Sequence, residues 1–234
     1  SVVKFQRNNL INKTFTKAKQ NSNYFKEKEE LLGLDESKKT ILYAPTFYPS
    51  SLEKLGLSLG DITSGYNLII KPHMWTYYLD SFGGISLKGQ RNLIFKLIDQ
   101  FDHIRLLEPA DYNVTPYYKI SDLLLTDASS TIYEMIALSK PVVVNRFYHL
   151  KLSHRIFQKR LYKRRLDKEM NDEVEKFCFL ADNVKQLPLA IENALNQKNK
   201  YTALIKEYQK KMLYKLDGSA SIRARDEILK RLNR

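Results

Sequence analysis

The chain has 234 residues, of which 43% are hydrophobic, so it carries enough apolar material for a packed core and is not a disordered protein. Its 39 lysine and arginine residues exceed the 26 acidic residues by 13, and this excess favours an anionic partner: nucleic acid, an acidic membrane surface or a phosphate-rich substrate. The single cysteine, Cys178, excludes a disulfide framework and a CxxC metal site, and the four histidines show no metal-ligand spacing.

No targeting or membrane-spanning segment is visible in the sequence. No apolar run approaches the roughly 20 residues that a membrane span requires, and there is no signal peptide. We therefore expect a cytoplasmic protein. The chain begins without methionine, so whether it is a fragment of a longer protein stays open.

The predicted elements alternate between helices and strands along the chain. Residues 12–33 have a helical pattern that stops near Gly33. Short apolar segments predict five strands, namely 40–44, 67–71, 104–107, 123–125 and 141–145. Helices are predicted between these strands at 91–101, 112–119 and 129–138, and after them at 183–197, 200–214 and 219–233.

Strands that are apolar throughout and alternate with helices are typical of a parallel sheet covered on both faces. We therefore predict an α/β fold, with a Rossmann-like parallel sheet covered by helices and a helical C-terminal extension. Residues 1–35 would form a linker and a leading helix, and residues 36–234 the Rossmann-like domain. The chain has no GxGxxG fingerprint, so a dinucleotide cofactor is not expected.

Polar residues follow three of the predicted strands. In an open α/β sheet, ligands bind beyond the carboxyl ends of the strands. Hydroxyl side chains at a helix start can cap its free N–H groups, and the same groups can instead hold a phosphate. A histidine at such a strand end is positioned to donate to a phosphate oxygen or a leaving group. The candidates are Thr46 after the first strand, Lys71 and His73 after the second, and Asp127, Ser129, Ser130 and Thr131 after the fourth. From these residues alone, an ordinary capped helix and a loop histidine remain equally open.

Near the C-terminus, the segment 217–223 predicts a turn followed by the last helix. Asp217 or Ser219 would cap this helix, with Gly218 turning the chain. Ser221 and Arg223 would lie in its first turns, where the planar guanidinium could bind a phosphate. The alternative is a plain helix cap with a surface arginine.

The excess positive charge is concentrated between Arg146 and Lys168. This segment contains nine lysine or arginine residues and one acid, Asp167, with apolar residues interleaved. Read as a helix, it is basic and amphipathic, as in helices that lie on a membrane surface. The alternative is a solvated helix that packs on its own domain. Nucleic acid is the least favoured partner, because no zinc-finger spacing, RNP-type motif or helix-turn-helix is present.

Four segments in this order resemble the C-terminal half of the CDP-glycerol glycerophosphotransferases, the teichoic-acid primase and polymerase group. Each segment alone is a weak signal, and the four together, in the right order, are fairly specific. The likeness covers the chain from about residue 36 onward. The segments are Ile41–Thr46, Lys71–His73, Ser121–Asp127 with Ser129 and Ser130, and Asp217–Arg223.

The resemblance implies a GT-B fold, in which two Rossmann-like domains face each other across a cleft and this chain is the domain that binds the CDP-linked donor. The implied reaction transfers a polyol phosphate from CDP-glycerol, or a related CDP-polyol, to a hydroxyl acceptor and releases CMP, in the synthesis of teichoic acid or a capsule-like polymer. The acceptor would be polyanionic or lipid-linked, and the protein would work in the cytoplasm, peripherally on the inner face of the bacterial membrane.

The resemblance also implies roles for single residues. His73 would assist departure of the nucleotide, and Ser129 and Ser130 would hold the donor phosphates. Glu134 would accept hydrogen bonds from hydroxyl groups of the CDP-linked donor, and Ser221 and Arg223 would complete the binding site for its phosphates. No tightly bound cofactor is implied, and a requirement for a divalent cation stays open.

Departures from the family pattern limit the implied function. The family's catalytic base is a histidine in a His-Gly motif of the N-terminal domain, and this sequence has no such pair, so we expect a separate N-terminal domain to supply it. Ala128 stands where an aromatic residue is usual, and Glu134 replaces an aspartate. The identity of the polyol therefore remains open. Two alternatives remain as well: a GT-B glycosyltransferase or nucleotide-sugar epimerase domain, and a non-catalytic domain that binds membrane or nucleic acid.

Overall fold

The protein is described by a computed structural model. The residues that it describes are 23–111, 113–157, 159, 172, 176–196, 198–213 and 215–232.

One parallel sheet of six strands organises the described part of the chain. Along the chain the strands are β1 (Thr40–Ala44), β2 (Asn67–Ile70), β3 (Ser81–Phe82), β4 (Ile85–Ser86), β5 (Ile104–Leu106), β6 (Leu123–Thr126), β7 (Val142–Asn145) and β8 (Phe179–Ala181). The order in the main sheet is β5-β2-β1-β6-β7-β8, and all neighbouring pairs are parallel. Strands β3 and β4 form a separate antiparallel hairpin.

The strand order reverses between β1 and β6. From β1 the chain first builds outward through β2 and β5, and it then returns to build the other side through β6, β7 and β8. The carboxyl ends of β1 and β6 therefore lie side by side where the order reverses. Such a switch point is where open α/β sheets bind ligands.

The helices cover this sheet. In chain order they are α1 (Tyr24–Leu32), α2 (Leu52–Leu55), α3 (Ser58–Ile62), α4 (Met74–Tyr78), α5 (Leu87–Gln100), α6 (Thr115–Ile120), α7 (Thr131–Ala137), α8 (Leu152–Ile156), α9 (Leu187–Asn196), α10 (Lys198–Tyr208) and α11 (Ala220–Leu232). A 3₁₀ turn (Val184–Gln186) precedes α9, and a π turn (Gln209–Leu213) follows α10. None of the helices in the described ranges is long and apolar enough to cross a membrane.

The core has two layers, one on each face of the sheet. Alternate side chains of β1 point to opposite faces, so Ile41 and Tyr43 join one cluster and Leu42 joins the other. The first cluster includes Ile94 of α5 and Ile191 of α9. The second cluster includes residues of α6 and α7, such as Tyr117, Ile132 and Met135. All positions of the four central strands β2, β1, β6 and β7 are therefore buried, as expected for a sheet covered on both faces.

The predicted fold class and all five predicted strands are confirmed. The sixth strand of the main sheet, β8, was not predicted. The helix predicted at 112–119 begins only at Thr115, with Pro116 in its first turn. Gly33 ends α1 in the left-handed conformation, with φ of 58°, as predicted.

Two predictions fall partly outside the described residues. The helix expected at 12–33 is described only from Tyr24 to Leu32. Of the basic segment 146–168, the structure describes residues 146–157 and residue 159, including the short helix α8. The division of the chain at residue 35 stays a prediction.

Candidate functional site

Residues 45–51, which we call the β1 loop, are fastened at the switch point by Asp127. The Asp127 carboxylate directly follows β6 and accepts hydrogen bonds from both ends of this loop. Oδ2 accepts from the backbone N–H of Thr46 at 3.0 Å and from its hydroxyl at 3.3 Å, and Oδ1 accepts from the backbone N–H of Ser51 at 3.1 Å. Asp127 is completely buried. The structure thus places this predicted site residue beneath the loop, with both of its oxygens occupied.

Burial raises the pKa of Asp127 to about 7, although the hydrogen bonds from Ser51 and Thr46 act in the opposite direction. The polar network continues behind Ser51. Its hydroxyl accepts from the Asn145 side-chain amide at 2.9 Å and lies 3.2 Å from the Tyr43 hydroxyl. A buried and connected network of this kind gives the β1 loop one defined conformation.

The turn after β6 is held by hydroxyl groups. Thr126 donates to the carbonyl of Ala44 at 2.7 Å, and its hydroxyl lies 3.3 Å from that of Thr131. The Ser129 hydroxyl accepts from the backbone N–H of Thr131 at 3.3 Å and from its hydroxyl at 3.1 Å. Ser130 directly precedes α7 and is exposed, and its side chain makes no capping hydrogen bond. Of the three hydroxyl residues predicted to start this helix, Ser129 therefore performs the capping.

Lys71, directly after β2, is a buried cation. Only 7% of its surface is exposed, and its ammonium group lies 5.1 Å from the centre of the Tyr77 ring. Within the described residues it forms no ion pair closer than 4.0 Å. Burial lowers the pKa of Lys71, and the charge of Asp111 only partly offsets this effect. An ammonium group desolvated in this way is electrostatically suited to an anionic ligand.

His73 lies two residues further, at the N-terminus of α4. Its Nδ1 accepts a hydrogen bond from the backbone N–H of Trp75 at 3.2 Å. With Nδ1 as acceptor, the neutral imidazole carries its proton on Nε2. Partial desolvation, followed by the charge of Lys71, lowers the pKa of His73 below 6.5. At neutral pH His73 is therefore an uncharged donor that presents Nε2–H.

The exposed His73 imidazole is part of an aromatic cluster that also contains Phe47, Trp75 and Phe82. The ring centres of Phe47 and Trp75 lie 4.8 Å and 5.4 Å from that of His73. Trp75 and Phe82 are 4.4 Å apart, so the β3–β4 hairpin packs against α4. The cluster restricts the rotation of the imidazole on two sides.

Glu134 lies on α7, one helical turn after Ser130. The Tyr118 hydroxyl donates to its Oε2 at 2.6 Å, and the side chain of Glu134 remains partly exposed. Tyr118 itself is buried in α6. The tyrosine therefore fixes one carboxylate oxygen of Glu134.

Arg223 is engaged within its own segment. Its guanidinium donates to both carboxylate oxygens of Asp217, each at 2.8 Å. Asp217 also accepts from the backbone N–H of Ser219 at 3.0 Å, which confirms its predicted place in the turn before α11. The hydrogen bond from Arg223 lowers the pKa of Asp217. Ser221 is partly buried in the first turn of the same helix.

The structure thus joins Thr46 to Asp127 and Ser129 to Thr131, whereas Arg223 is held by Asp217. The sequence analysis missed Ser51, Asn145 and Tyr118. Asn145 ends β7 as a polar residue after three valines, and this signal was available in the sequence. Nothing in the sequence around Tyr118 indicates its role, because its hydroxyl donates to Glu134 in the next helix. In the part of the chain that the structure describes, no group of three or more His, Cys, Asp or Glu residues could hold a metal ion.

Known proteins show clear similarity to this chain. The family model described as CDP-Glycerol:Poly(glycerophosphate) glycerophosphotransferase matches residues 11–230. Over 150 residues the chain is 29% identical to the teichoic acid poly(glycerol phosphate) polymerase of Bacillus spizizenii, and this match covers 59% of the chain and 33% of that protein.

Two solved structures have a similar fold. A variant of the wall teichoic acid polymerase TagF soaked with CDPG has a TM-score of 0.55 and 21% identity over 96% of this chain and 48% of that one. The UDP-GlcNAc 2-epimerase from Neisseria meningitidis bound to UDP-GlcNAc has a TM-score of 0.53 and 15% identity over 83% of this chain and 46% of that one. The chain thus spans half or less of the length of these relatives.

Proposed function

This chain belongs to the CDP-glycerol:poly(glycerophosphate) glycerophosphotransferase family, and we propose that it forms the half of such an enzyme that binds the CDP-linked donor. The donor would be CDP-glycerol or a related CDP-polyol, bound at the switch point between β1 and β6. The observation that carries this proposal is Lys71, a cation that is almost fully buried at a strand end and has no carboxylate partner within 4.0 Å among the described residues. A diphosphate would supply the missing charge.

The neighbouring groups support the same ligand. His73 presents an uncharged Nε2–H donor two residues from Lys71. Ser130, which is exposed directly before α7, would contact the donor phosphates, and Glu134, held by Tyr118, would accept hydrogen bonds from donor hydroxyls. Arg223 and Ser221 would bind the donor phosphates if the donor replaced Asp217 as the partner of the Arg223 guanidinium. Asp127 would not touch the donor in this arrangement, because its two oxygens already hold the β1 loop.

The proposed reaction is a transfer of glycerol phosphate. The acceptor oxygen forms a bond to the phosphorus of the glycerol phosphate, the bond from this phosphorus to the bridging oxygen breaks, and CMP departs. Lys71 offsets the charge of the diphosphate, and His73 donates through Nε2–H to the departing phosphate. The base that takes the acceptor proton would be the histidine of a His-Gly motif in a separate N-terminal domain, since this sequence contains no such pair.

Calorimetric titration of the chain tests the proposal. We expect CDP-glycerol and CMP to bind, and we expect Lys71→Met to weaken CDP-glycerol by about tenfold or more, which corresponds to about 1.4 kcal/mol. Lys39→Met is the matched control, because Lys39 is exposed and paired with Asp122 near the start of β1. Binding of UDP-sugars without binding of cytidine nucleotides would refute the proposal and favour an epimerase-like function. Binding of an RNA oligomer alone would favour a nucleic-acid-binding domain.

We further propose that the protein works at an anionic membrane surface. The observation in favour is the start of the basic segment, where Leu152, Ile156 and Phe157 are 69%, 63% and 51% exposed beside Lys151 and Arg155. Exposed apolar side chains next to cations are typical of interfacial binding. Co-sedimentation with vesicles tests this proposal. Equal binding to anionic and zwitterionic vesicles, or equal binding of a Leu152→Ser, Phe157→Ser variant, would contradict it.

A further inference from the structure

Gln90 of α5 connects three elements near the aromatic cluster. It is 1% exposed, and its amide nitrogen donates to the carbonyl of Phe47 at 2.9 Å and to the Glu53 carboxylate at 2.7 Å. Its amide oxygen accepts from the Thr76 hydroxyl at 3.4 Å. One buried amide therefore joins the β1 loop, α2 and α4. Because these groups lie in a desolvated region, the loss of the amide would leave several polar atoms without partners.

The next residue, Arg91, holds the other end of α4. Its guanidinium donates to the carbonyls of Thr76, Tyr77 and Leu79 at 2.9, 3.3 and 3.1 Å, and to the Asp80 carboxylate at 2.6 Å. These carbonyls belong to the C-terminal end of the helix, where no intrahelical donors remain. A helix of five residues has too few bonds of its own to be stable, so such contacts determine its position.

The two elements beside the His73 imidazole, α4 and Phe47, are both held in place by Gln90 and Arg91. His73 caps the N-terminus of α4, whose side and C-terminal end are held by Gln90 and Arg91. Phe47, whose ring lies 4.8 Å from the imidazole, is held through its carbonyl by Gln90. The two α5 residues thus act on His73 from two directions, through α4 and through the β1 loop.

We propose that Gln90 and Arg91 are positioning residues, which fix the orientation of the His73 imidazole through α4 and Phe47. Their effect on turnover rests on the proposed function, whereas their effect on the imidazole does not. If the α4 contacts are lost, the hydrogen bond from Trp75 to Nδ1 loosens and the imidazole no longer presents Nε2–H in one direction. Misplacement of a reacting group by about 1 Å can reduce the rate by as much as about 100-fold.

Nitrogen NMR of the histidine imidazoles in the 234-residue chain tests the proposal directly. In the wild type we expect the Nε2–H tautomer of His73 and a pKa below 6.5. In Gln90→Met and Arg91→Met we expect a mixture of tautomers and a pKa closer to 6.5. Arg105→Met is the matched control, because the Arg105 guanidinium caps a different helix end in the same way, through the carbonyls of Leu32 and Gly33. This control should leave the His73 signals unchanged.

The results of these experiments distinguish the positioning role of Gln90 and Arg91 from the proposed catalytic role of His73. An unchanged tautomer and pKa of His73 in both folded variants would overturn the positioning role. If Arg91→Met does not fold, Arg91→Lys retains the charge opposite Asp80 but loses the planar fork, and the same expectations apply to it. In the full-length enzyme, we expect kcat to fall by about 10-fold to 100-fold with little change in KM. Altered His73 signals with unchanged kcat would leave the positioning role intact and refute the catalytic role of His73.

Discussion

The most informative perturbation is Asp127→Asn, which replaces the titratable carboxyl group beneath the β1 loop by an amide and conserves the volume. The carboxylate of Asp127 accepts backbone N–H groups on both oxygens, at 3.0 Å from Thr46 and at 3.1 Å from Ser51. An asparagine can accept only one of them, because its NH₂ group would face the other N–H. Leaving one buried donor without an acceptor costs about 1–3 kcal/mol of the free energy of unfolding.

The size of the effect depends on pH, because burial raises the pKa of Asp127 from 3.8 to about 7. The folded protein therefore holds this proton more tightly than the unfolded chain. The resulting stability is fully present below the unfolded pKa and is lost as the pH rises through about 7. Between about pH 5 and about pH 8, this linkage lowers the wild-type free energy of unfolding by about 3 kcal/mol. Asparagine does not titrate, so the penalty of Asp127→Asn should be largest at the lower pH.

Urea denaturation of the wild type and the variant at both pH values measures this difference, with unchanged m-values as the sign that the two-state comparison is valid. Asp122→Asn is a suitable control, because the partly exposed Asp122 carboxylate also accepts a backbone N–H, from Thr40 at 3.0 Å. An equal penalty of Asp127→Asn at the two pH values would refute the argument that burial keeps this carboxyl protonated.

Two further substitutions test packing and the site. A Cβ at Gly60 would lie 2.4 Å from the Phe101 ring, so Gly60→Ala should lower the free energy of unfolding by about 1–3 kcal/mol in urea denaturation. Gly65→Ala, where nothing lies within 4 Å, is the control, and a similar loss in both variants would contradict the steric explanation. Tyr118→Phe removes the donor to Glu134, so we expect CDP-glycerol binding by calorimetry to weaken by about 3-fold to 10-fold, since one hydrogen bond contributes about 0.5–1.5 kcal/mol. Unchanged affinity would show that Glu134 needs no such support.

Local sequence was sufficient for the sheet and for the residues that follow the carboxyl ends of its strands. Five strands were predictable because each is an apolar run that ends in proline or a polar residue, as in the segment from Ile41 to Pro45. Once parallel strands alternate with helices, their carboxyl ends must share one edge. The sequence alone therefore assigns Thr46, Lys71, His73 and Ser129 to that edge.

The same local patterns could not distinguish a residue that faces a ligand from one that holds the backbone. Asp127 and Ser130 follow the same strand, yet the first is completely buried beneath the β1 loop and the second is exposed. The difference arises from a contact between Thr46 and Asp127, which are 81 positions apart in the chain. No periodicity within either segment encodes that distance.

The sequence by itself determined the fold class, the carboxyl edge of the sheet and the chemical character of the residues along it. Only the tertiary structure decided that Lys71 is desolvated, that Arg223 binds Asp217 and that Gln90 supports the neighbours of His73. The physical reason is that secondary structure follows from neighbouring residues, whereas burial and hydrogen-bond partners depend on which distant segments the sheet order brings together.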